Sequence, residues 1–236
     1  GQSSTFTGQL TGSKLSLNKN GSGTLQIGGS TSNSLTSGDM QVSDGLLELN
    51  KTGGATVGGS RIRVGDNTGA ADSAVARWLG NNQLASSQSI NLFPDGLADL
   101  NGYNQTTSAL MEIYGGELRT GAGTLTLNNG SLRQNTTTAN DFNGNWSLAG
   151  TVQVYTYAGG IINVSAAIGG TGNLSVVSGT GTLQLNGSAT YSGQTTVSTG
   201  TLSIAGDSNI GSGTLNLSGG TLAVTGSSGT IDNAVA

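Results

Sequence analysis

The sequence predicts an all-β protein wound into a stack of parallel coils, a β-solenoid. Three observations carry that prediction: short words in which apolar residues alternate with small polar ones, a Gly at the head of most words, and a recurring interval. Thr24-Leu25-Gln26-Ile27, Thr124-Leu125-Thr126-Leu127, Thr182-Leu183-Gln184-Leu185 and Thr201-Leu202-Ser203-Ile204 show the pattern. Apolar side chains at every second position give a strand with one face turned inward. The word Gly-Thr-Leu starts at Gly23, Gly123, Gly181, Gly200, Gly213 and Gly220, with looser versions at Gly45, Gly150 and Gly172. Gly116, Gly123 and Gly130 are about seven residues apart, whereas Gly181, Gly200 and Gly220 are about twenty apart. Seven residues suit a four-residue strand plus a bend, and three such units close one coil. An antiparallel sandwich is the competing all-β arrangement, but its hairpins need longer strands or two-residue Asn-Gly turns.

In chain order, the first copy of the pattern lies between Leu15 and Leu49. It joins Gly21-Ser22-Gly23-Thr24-Leu25-Gln26-Ile27 to Gly38-Asp39-Met40-Gln41-Val42 and Gly45-Leu46-Leu47-Glu48-Leu49. From Gly65 to Gln88 the β words stop, and a loop insertion is expected over 65–88. Within it, a short helix is expected over 72–79, with Asp72 as N-cap and Gly80 as the stop. Val75, Trp78 and Leu79 then share one apolar helical face, which suits a decoration lying against the rod. Strand words resume at Gly116 and continue through Gly130, Gly150 and Gly172. The run Gly179–Gly187 parallels Gly21–Gly29, and Gly193–Ile204 parallels Gly38–Leu49, so a unit of roughly thirty residues occurs at least twice. Residues 1–236 are expected to form a single β-solenoid domain of roughly ten to twelve coils, a rod of about 50 Å.

The composition agrees with this architecture. The chain has 236 residues, of which 42 are Gly and one, Pro94, is proline. Gly, Ser, Thr and Asn together make up about half of it. Such bias also marks flexible linkers, but a linker does not sort 33% apolar residues into alternating words. Gly and Asn suit bends with positive φ, outward Thr suits a strand, and scarcity of Pro spares the ladder. The chain opens at Gly1 without an initiator Met, so a mature or excised piece of a longer repeat protein is expected.

Residues Gly172 to Ile204 resemble the autotransporter-associated β-strand repeat, also called the passenger-associated transport repeat. The matching features are Gly179-Thr180-Gly181-Thr182-Leu183-Gln184-Leu185, Thr190-Tyr191-Ser192-Gly193, Thr195-Thr196-Val197 and Gly200-Thr201-Leu202. Leu15 to Leu49 is similar but degenerate: Asn33-Ser34-Leu35-Thr36-Ser37-Gly38 stands where the family has Tyr-Ser-Gly, and the Tyr is lost. Asn50 onward resembles the spacers of large multi-repeat surface proteins of this kind. The resemblance implies a right-handed parallel β-helix and an extracellular or bacterial cell-surface location. It also implies a place in a long passenger whose membrane barrel belongs to the parent chain.

Chemistry is scarce. With no His and no Cys there is no imidazole base, no thiolate and no zinc or haem site of the usual kinds. Eight basic residues and a net charge of −4 argue against nucleic acid. No apolar run approaches the length of a transmembrane helix, and the N-terminal residues lack a signal-peptide pattern. Parallel β-helices also host polysaccharide lyases and hydrolases, whose chemistry needs paired carboxylates. Asp39 with Asp44 and Glu48, Asp95 with Asp99, and Glu112 with Glu117 are the candidates; they read as solvated turn carboxylates without a basic partner at coil spacing. The nonapeptide that makes a strong calcium site and the Gly-x-x-x-x-Gly-Lys phosphate loop are both missing.

Trp146, Tyr155 and Tyr157 are close in sequence, and Tyr155 and Tyr157 share a strand face opposite Thr156. They read either as a stacking strip for sugar or as packing. Every Lys and Arg lies at or before Arg133, and after Asp141 the only charges are Asp207 and Asp232. A neutral C-terminal third whose β words run to Val224 is a template for a further coil. The expected function is therefore a non-catalytic structural and adhesive surface protein. It would be a rigid stalk or passenger segment that stacks end to end into an extracellular fibre and touches surface glycans or a host surface. No catalytic, cofactor or metal residue is assigned. The alternative is a polysaccharide-binding or polysaccharide-cleaving β-helix.

Overall fold

Alternating words this short cannot hide their apolar side alone, and the chain solves that by stacking them. The computed structural model describes residues 1–157, 159–226 and 230–236, and for Ser178 the backbone alone. The first face of the coil stacks eleven strand positions in order, from Ser3–Phe6 through Thr24–Gly29, Gly45–Lys51, Ala74–Trp78 and Gly96–Asp99 to Thr201–Ile204 and Thr221–Val224. A second long face stacks ten strands, from Leu17–Lys19 through Asp39–Val42, Arg61–Val64, Ser89–Leu92, Leu110–Ile113 and Ser131–Gln134 to Leu215–Leu217. A third face lies between them in the chain and is discontinuous. Thr11–Ser13 pairs with Ser34–Thr36, and Gln105–Thr107 starts a later series that continues to Ile168–Gly170. Two long strands, Glu117–Asn128 and Ala139–Ala149, turn the corner from the first face into this third one. Their register breaks between Arg119 and Thr124, where the corner falls.

The pairings are parallel and lie one coil apart, as the repeat predicts. Thr182 faces Thr201, Leu183 faces Leu202 and Leu185 faces Ile204; the two matched copies of the repeat occupy the same faces. Eleven strands at the spacing of a β-ladder give a rod of about 50 Å. The alternation holds inside it. Leu47, Leu49, Leu183, Leu185, Leu202 and Ile204 are all buried in one apolar column that extends from Ile27 to Leu215. Gly179 shows why bends demand glycine: φ is +89°, and a Cβ there would sit 1.5 Å from the Thr156 carbonyl oxygen of the preceding coil. Asn takes the same backbone region at Asn82, Asn101 and Asn129.

The expected helix over 72–79 is instead a strand. Ala74–Trp78 pairs in parallel with Gly45–Leu49 on one side and Gly96–Asp99 on the other. The same residues also alternate at period two: Ala74, Ala76 and Trp78 are fully buried while Val75 and Arg77 face outward. Two flanking ladders decide between the periods, because an isolated helix of two turns gains little and a strand here completes both neighbours. Asp72 has φ of +60°, a turn conformation and not that of an N-cap. Among the described residues the single helical turn lies far away, at Asp207–Asn209.

What the insertion does contain is a lengthened bend. Gly45 faces Ala74, a step of 29 residues, where Thr24 to Leu46 takes 22. Residues 65–73 form the extra bend, and the next stretch, 79–88, lacks a regular strand on the third face. Buried glutamine side chains replace the missing ladder. Gln83 Oε1 accepts from Lys51 N–H at 2.9 Å, and Gln105 Oε1 accepts from Gln83 N–H at 2.8 Å. Gln105 Nε2 also donates to the Gly80 carbonyl at 2.7 Å. Gln83, Gln88 and Gln105 are all at most 1% exposed, and each bonds the backbone of a neighbouring coil, Gln83 through its oxygen alone.

Leu202 is packed on both sides by Leu183 and Leu222 in register. Leu202→Ala is expected to cost about 2–5 kcal/mol, the usual range for a buried Leu truncation, read as a lowered urea midpoint.

Candidate functional site

Because side chains repeat at coil spacing, any site on this scaffold is a column of residues from successive coils. The first column lies on the outward side of the first face, where Gln26, Glu48, Arg77, Asp99, Arg119 and Asn143 are consecutive register partners. Their charges alternate along the axis. Gln26 Nε2 donates to Glu48 at 3.0 Å and Arg77 Nε to Asp99 at 2.9 Å. Arg119 holds Glu117 through two nitrogens and lies 3.6 Å from Asp72, so the 65–73 bend is clipped down onto this face.

The sequence candidates therefore resolve differently from their expected isolation. Asp39 pairs with Arg61 at 3.2 Å and Arg77 with Asp99 at 2.9 Å, each across 22 residues, so basic partners do stand at coil spacing. These pairs are partly exposed, and exposed ion pairs contribute about 0–1 kcal/mol each. Asp44 accepts from the Gly45 N–H at 2.9 Å. Asp95 is 2% exposed and accepts from the backbone N–H groups of Asp66 and Asn67, at 3.1 and 2.8 Å. It anchors the long bend. Among the described residues no group of three or more acidic side chains is placed to hold a metal ion.

Two buried lysines are likewise structural. Lys19 Nζ donates to the carbonyls of Asn20 and Asp44, at 3.3 and 2.9 Å, and also to that of Gly21. Lys51 Nζ donates to the Gly8 carbonyl at 3.1 Å and ties the first coil to the third. Burial lowers the pKa of both ammonium groups below the ordinary value of 10.5.

The second column is richer chemically. On the outward side of the ten-stranded face, Gln41, Arg63, Asn91, Glu112, Arg133 and Tyr155 are register partners. Glu112 accepts from Asn91 at 2.9 Å and Asn135 at 3.4 Å, with Arg133 at 3.7 Å. Beside it, at the corner into the next face, Phe93 and Tyr114 stack at 5.0 Å with an 8° interplanar angle. Arg63 caps the open face of Phe93 at 5.1 Å. Burial, reinforced by the Glu112 carboxylate, raises the Tyr114 phenol pKa.

The column reaches Tyr155, and Tyr157 follows two residues beyond the end of that strand. Tyr155 donates its hydroxyl to Gln153 at 2.8 Å, and the Arg133 guanidinium lies 5.2 Å above its ring. Tyr157 is 52% exposed, the most open aromatic ring among the described residues, while Thr156 between them is buried. Together with Arg133, Gln134 and Asn135 they line a groove of about 240 Å³. Trp146 does not join them. It is 2% exposed and packs edge-to-face on Phe142, 5.1 Å away, within the core.

Sequence reasoning missed Phe93, Tyr114 and the Arg63–Glu112–Arg133 series. The signal was present as an interval: 114 − 93 and 135 − 114 are both 21, and 157 − 135 is 22. Comparison with known proteins gives one positive result. The passenger-associated-transport-repeat family model matches residues 17–49 and 176–204. No curated protein and no solved structure matches the chain. The second matched segment contains Tyr191, whose hydroxyl is buried and hydrogen-bonded to Thr195 Oγ1 at 2.7 Å, so that aromatic is a core element.

Asp95→Ala should leave the Asp66 and Asn67 N–H groups unpaired, cost about 1–3 kcal/mol and open 65–73 to limited proteolysis. For Lys51 the unfolded chain holds its proton to higher pH than the folded one. Stability therefore gains with rising pH between the lowered folded value and 10.5, and the cost of burying the ammonium is fully present below that window. The difference in thermal midpoint between wild type and Lys51→Met is expected to change across that interval and to be flat near neutral pH.

Proposed function

We propose that this chain is a non-catalytic structural and adhesive part of a bacterial surface protein, a rigid β-solenoid stalk or passenger segment. In this reading residues 1–236 form one solenoid domain within a larger repeat protein. The observation that supports it most is the union of the two: passenger-associated transport repeats at 17–49 and 176–204, set in a continuous parallel solenoid. That combination fits a passenger-like protein at the cell surface or outside the cell. Among the described residues no helix is long and apolar enough to cross a membrane.

The non-catalytic part of the reading is supported by how the acids are used. Asp39, Asp99, Glu112 and Glu117 each face an arginine, and Asp95 holds a bend. Acid–base hydrolysis of a glycan needs two carboxylates flanking one bond, and one of them must keep a proton near neutral pH. Carboxylates held by a guanidinium or by backbone N–H groups are already engaged in the scaffold.

End-to-end stacking is supported by the terminal coils. Phe6 and Leu15 are exposed at one end, and Leu217, Val224 and Val235 at the other. Inner apolar ladders that surface in this way are covered by a further coil, either from the same parent chain or from another copy.

Small-angle scattering of the purified chain should give a rod about 50 Å long, with fibres in electron micrographs as concentration rises. A compact monomer at high concentration would sink fibre assembly, and release of reducing sugar from a polysaccharide panel would sink the non-catalytic assignment.

A further inference from the structure

We propose that the groove between Tyr155 and Tyr157 binds an acidic sugar unit, a uronate-type pyranose within a surface glycan. This deepens the adhesive part of the reading above, since it gives the stalk a ligand and a place to hold it.

Tyr155 is engaged by Gln153 and by Arg133 over its ring, whereas Tyr157 is left open. Phe93 and Tyr114 lie one coil apart and cover each other's faces, with Arg63 closing the outer side of Phe93. Those rings are spent on the scaffold. Tyr157 continues the same interval two coils later and has no aromatic stacking partner among the described residues, because Asn135 occupies the intervening coil. Tyr157 is 52% exposed, although a solvated position of this kind is readily filled by Thr or Asn, as most outward positions of this chain are. Tyr155 closes the strand Thr151–Tyr155, Tyr157 lies two residues beyond its end, and both line the groove together with Arg133. The groove volume of about 240 Å³ has room for one pyranose ring.

Arginine supplies the second half. Arg133 is 44% exposed and lies 3.7 Å from Glu112, too far for a hydrogen bond, so that pair uses the guanidinium weakly. Glu112 is already served by Asn91 and Asn135 at 2.9 and 3.4 Å. Meanwhile the guanidinium carbon lies 5.2 Å from the centre of the Tyr155 ring, which holds the group at the groove wall. A planar fork of N–H donors held at an aromatic wall matches a carboxylate. An apolar C–H face against Tyr157 and a carboxylate toward Arg133 describe an acidic sugar. No basic residue follows Arg133 in the chain, so this is also the last cation along the rod.

The test is a glycan array and titration calorimetry with uronate-containing and neutral oligosaccharides. Wild type, Tyr157→Ala and Arg133→Gln are compared after circular dichroism has established equal folding. Acidic oligosaccharides should bind the wild type, Tyr157→Ala should weaken binding about tenfold or more, and Arg133→Gln should erase the preference for acidic over neutral sugars. Wild-type silence on every glycan, or binding that both variants retain, overturns the site. Equal binding of neutral sugars overturns the carboxylate assignment. None of these outcomes touches the rod, which scattering and microscopy test by themselves.

Discussion

Everything in this protein depends on keeping successive coils in register. Each strand is hydrogen-bonded to the strand one coil before and one coil after, and a slip of one residue would send every inward Leu, Ile and Val to the surface. Leu183, Leu202 and Leu222 can form a ladder only because Thr182, Thr201 and Thr221 do so beside them. Register also explains the composition. A coil must close within roughly twenty residues, which leaves two to five for most bends, and tight bends between backbones that nearly touch admit Gly and Asn and little else. The chemical poverty of the chain is the consequence of a geometry that uses most positions for closure.

The long coil between Gly45 and Ala74 shows how far that constraint bends. The extra residues are gathered into one projection, 65–73, and pinned by a buried carboxylate, Asp95, that belongs to the following coil. Where regular pairing then lapses on the third face, Gln83 and Gln105 stand in for backbone groups, offering an amide oxygen to the N–H that a strand would otherwise have served. An amide side chain has the same donor and acceptor as a peptide unit, so it can bridge two coils whose backbones have drifted apart. Lys19 and Lys51 do a coarser version of the same task, at the expense of desolvating an ammonium group.

The coil architecture was legible in the sequence because it is written twice, in a period of two within strands and an interval of about twenty between them. The all-β solenoid, the inward Leu positions and the bend glycines all follow from those two periods. Residues 72–79 were misread because Ala74-Val75-Ala76-Arg77-Trp78 satisfies both a helical and a strand period, and only the neighbouring ladders, Leu47 and Leu49 on one side and Leu97 and Ala98 on the other, decide. The carboxylates were misread for a related reason. Asp39 and Arg61, or Arg77 and Asp99, look remote in a linear chain, and their pairing appears once the coil length is applied to polar positions as well as apolar ones. The aromatic pair is hidden the same way: Phe93 and Tyr114 are remote in sequence and stacked on the rod.

The charge asymmetry takes on a structural meaning once these columns are drawn. Up to Arg133 the outward positions are stitched by alternating charges; beyond it the neutral coils use Asn and Ser instead. Asn173 bonds to Thr151 at 3.2 Å, and Ser198 to Ser218 at 3.3 Å. Exposed ion pairs and neutral hydrogen bonds contribute comparable, small amounts to stability, so the exchange of one for the other is close to neutral for folding. What changes is the field presented outward. A charged surface resists lateral association of β faces, whereas a neutral one permits it. The Tyr155–Tyr157 groove lies where the two regimes meet, with the last arginine on one side and uncharged coils on the other. An anionic ligand at that boundary meets one oriented cation and no further acid along the neutral coils until Asp207, a placement that favours acidic partners without making the whole rod attract them.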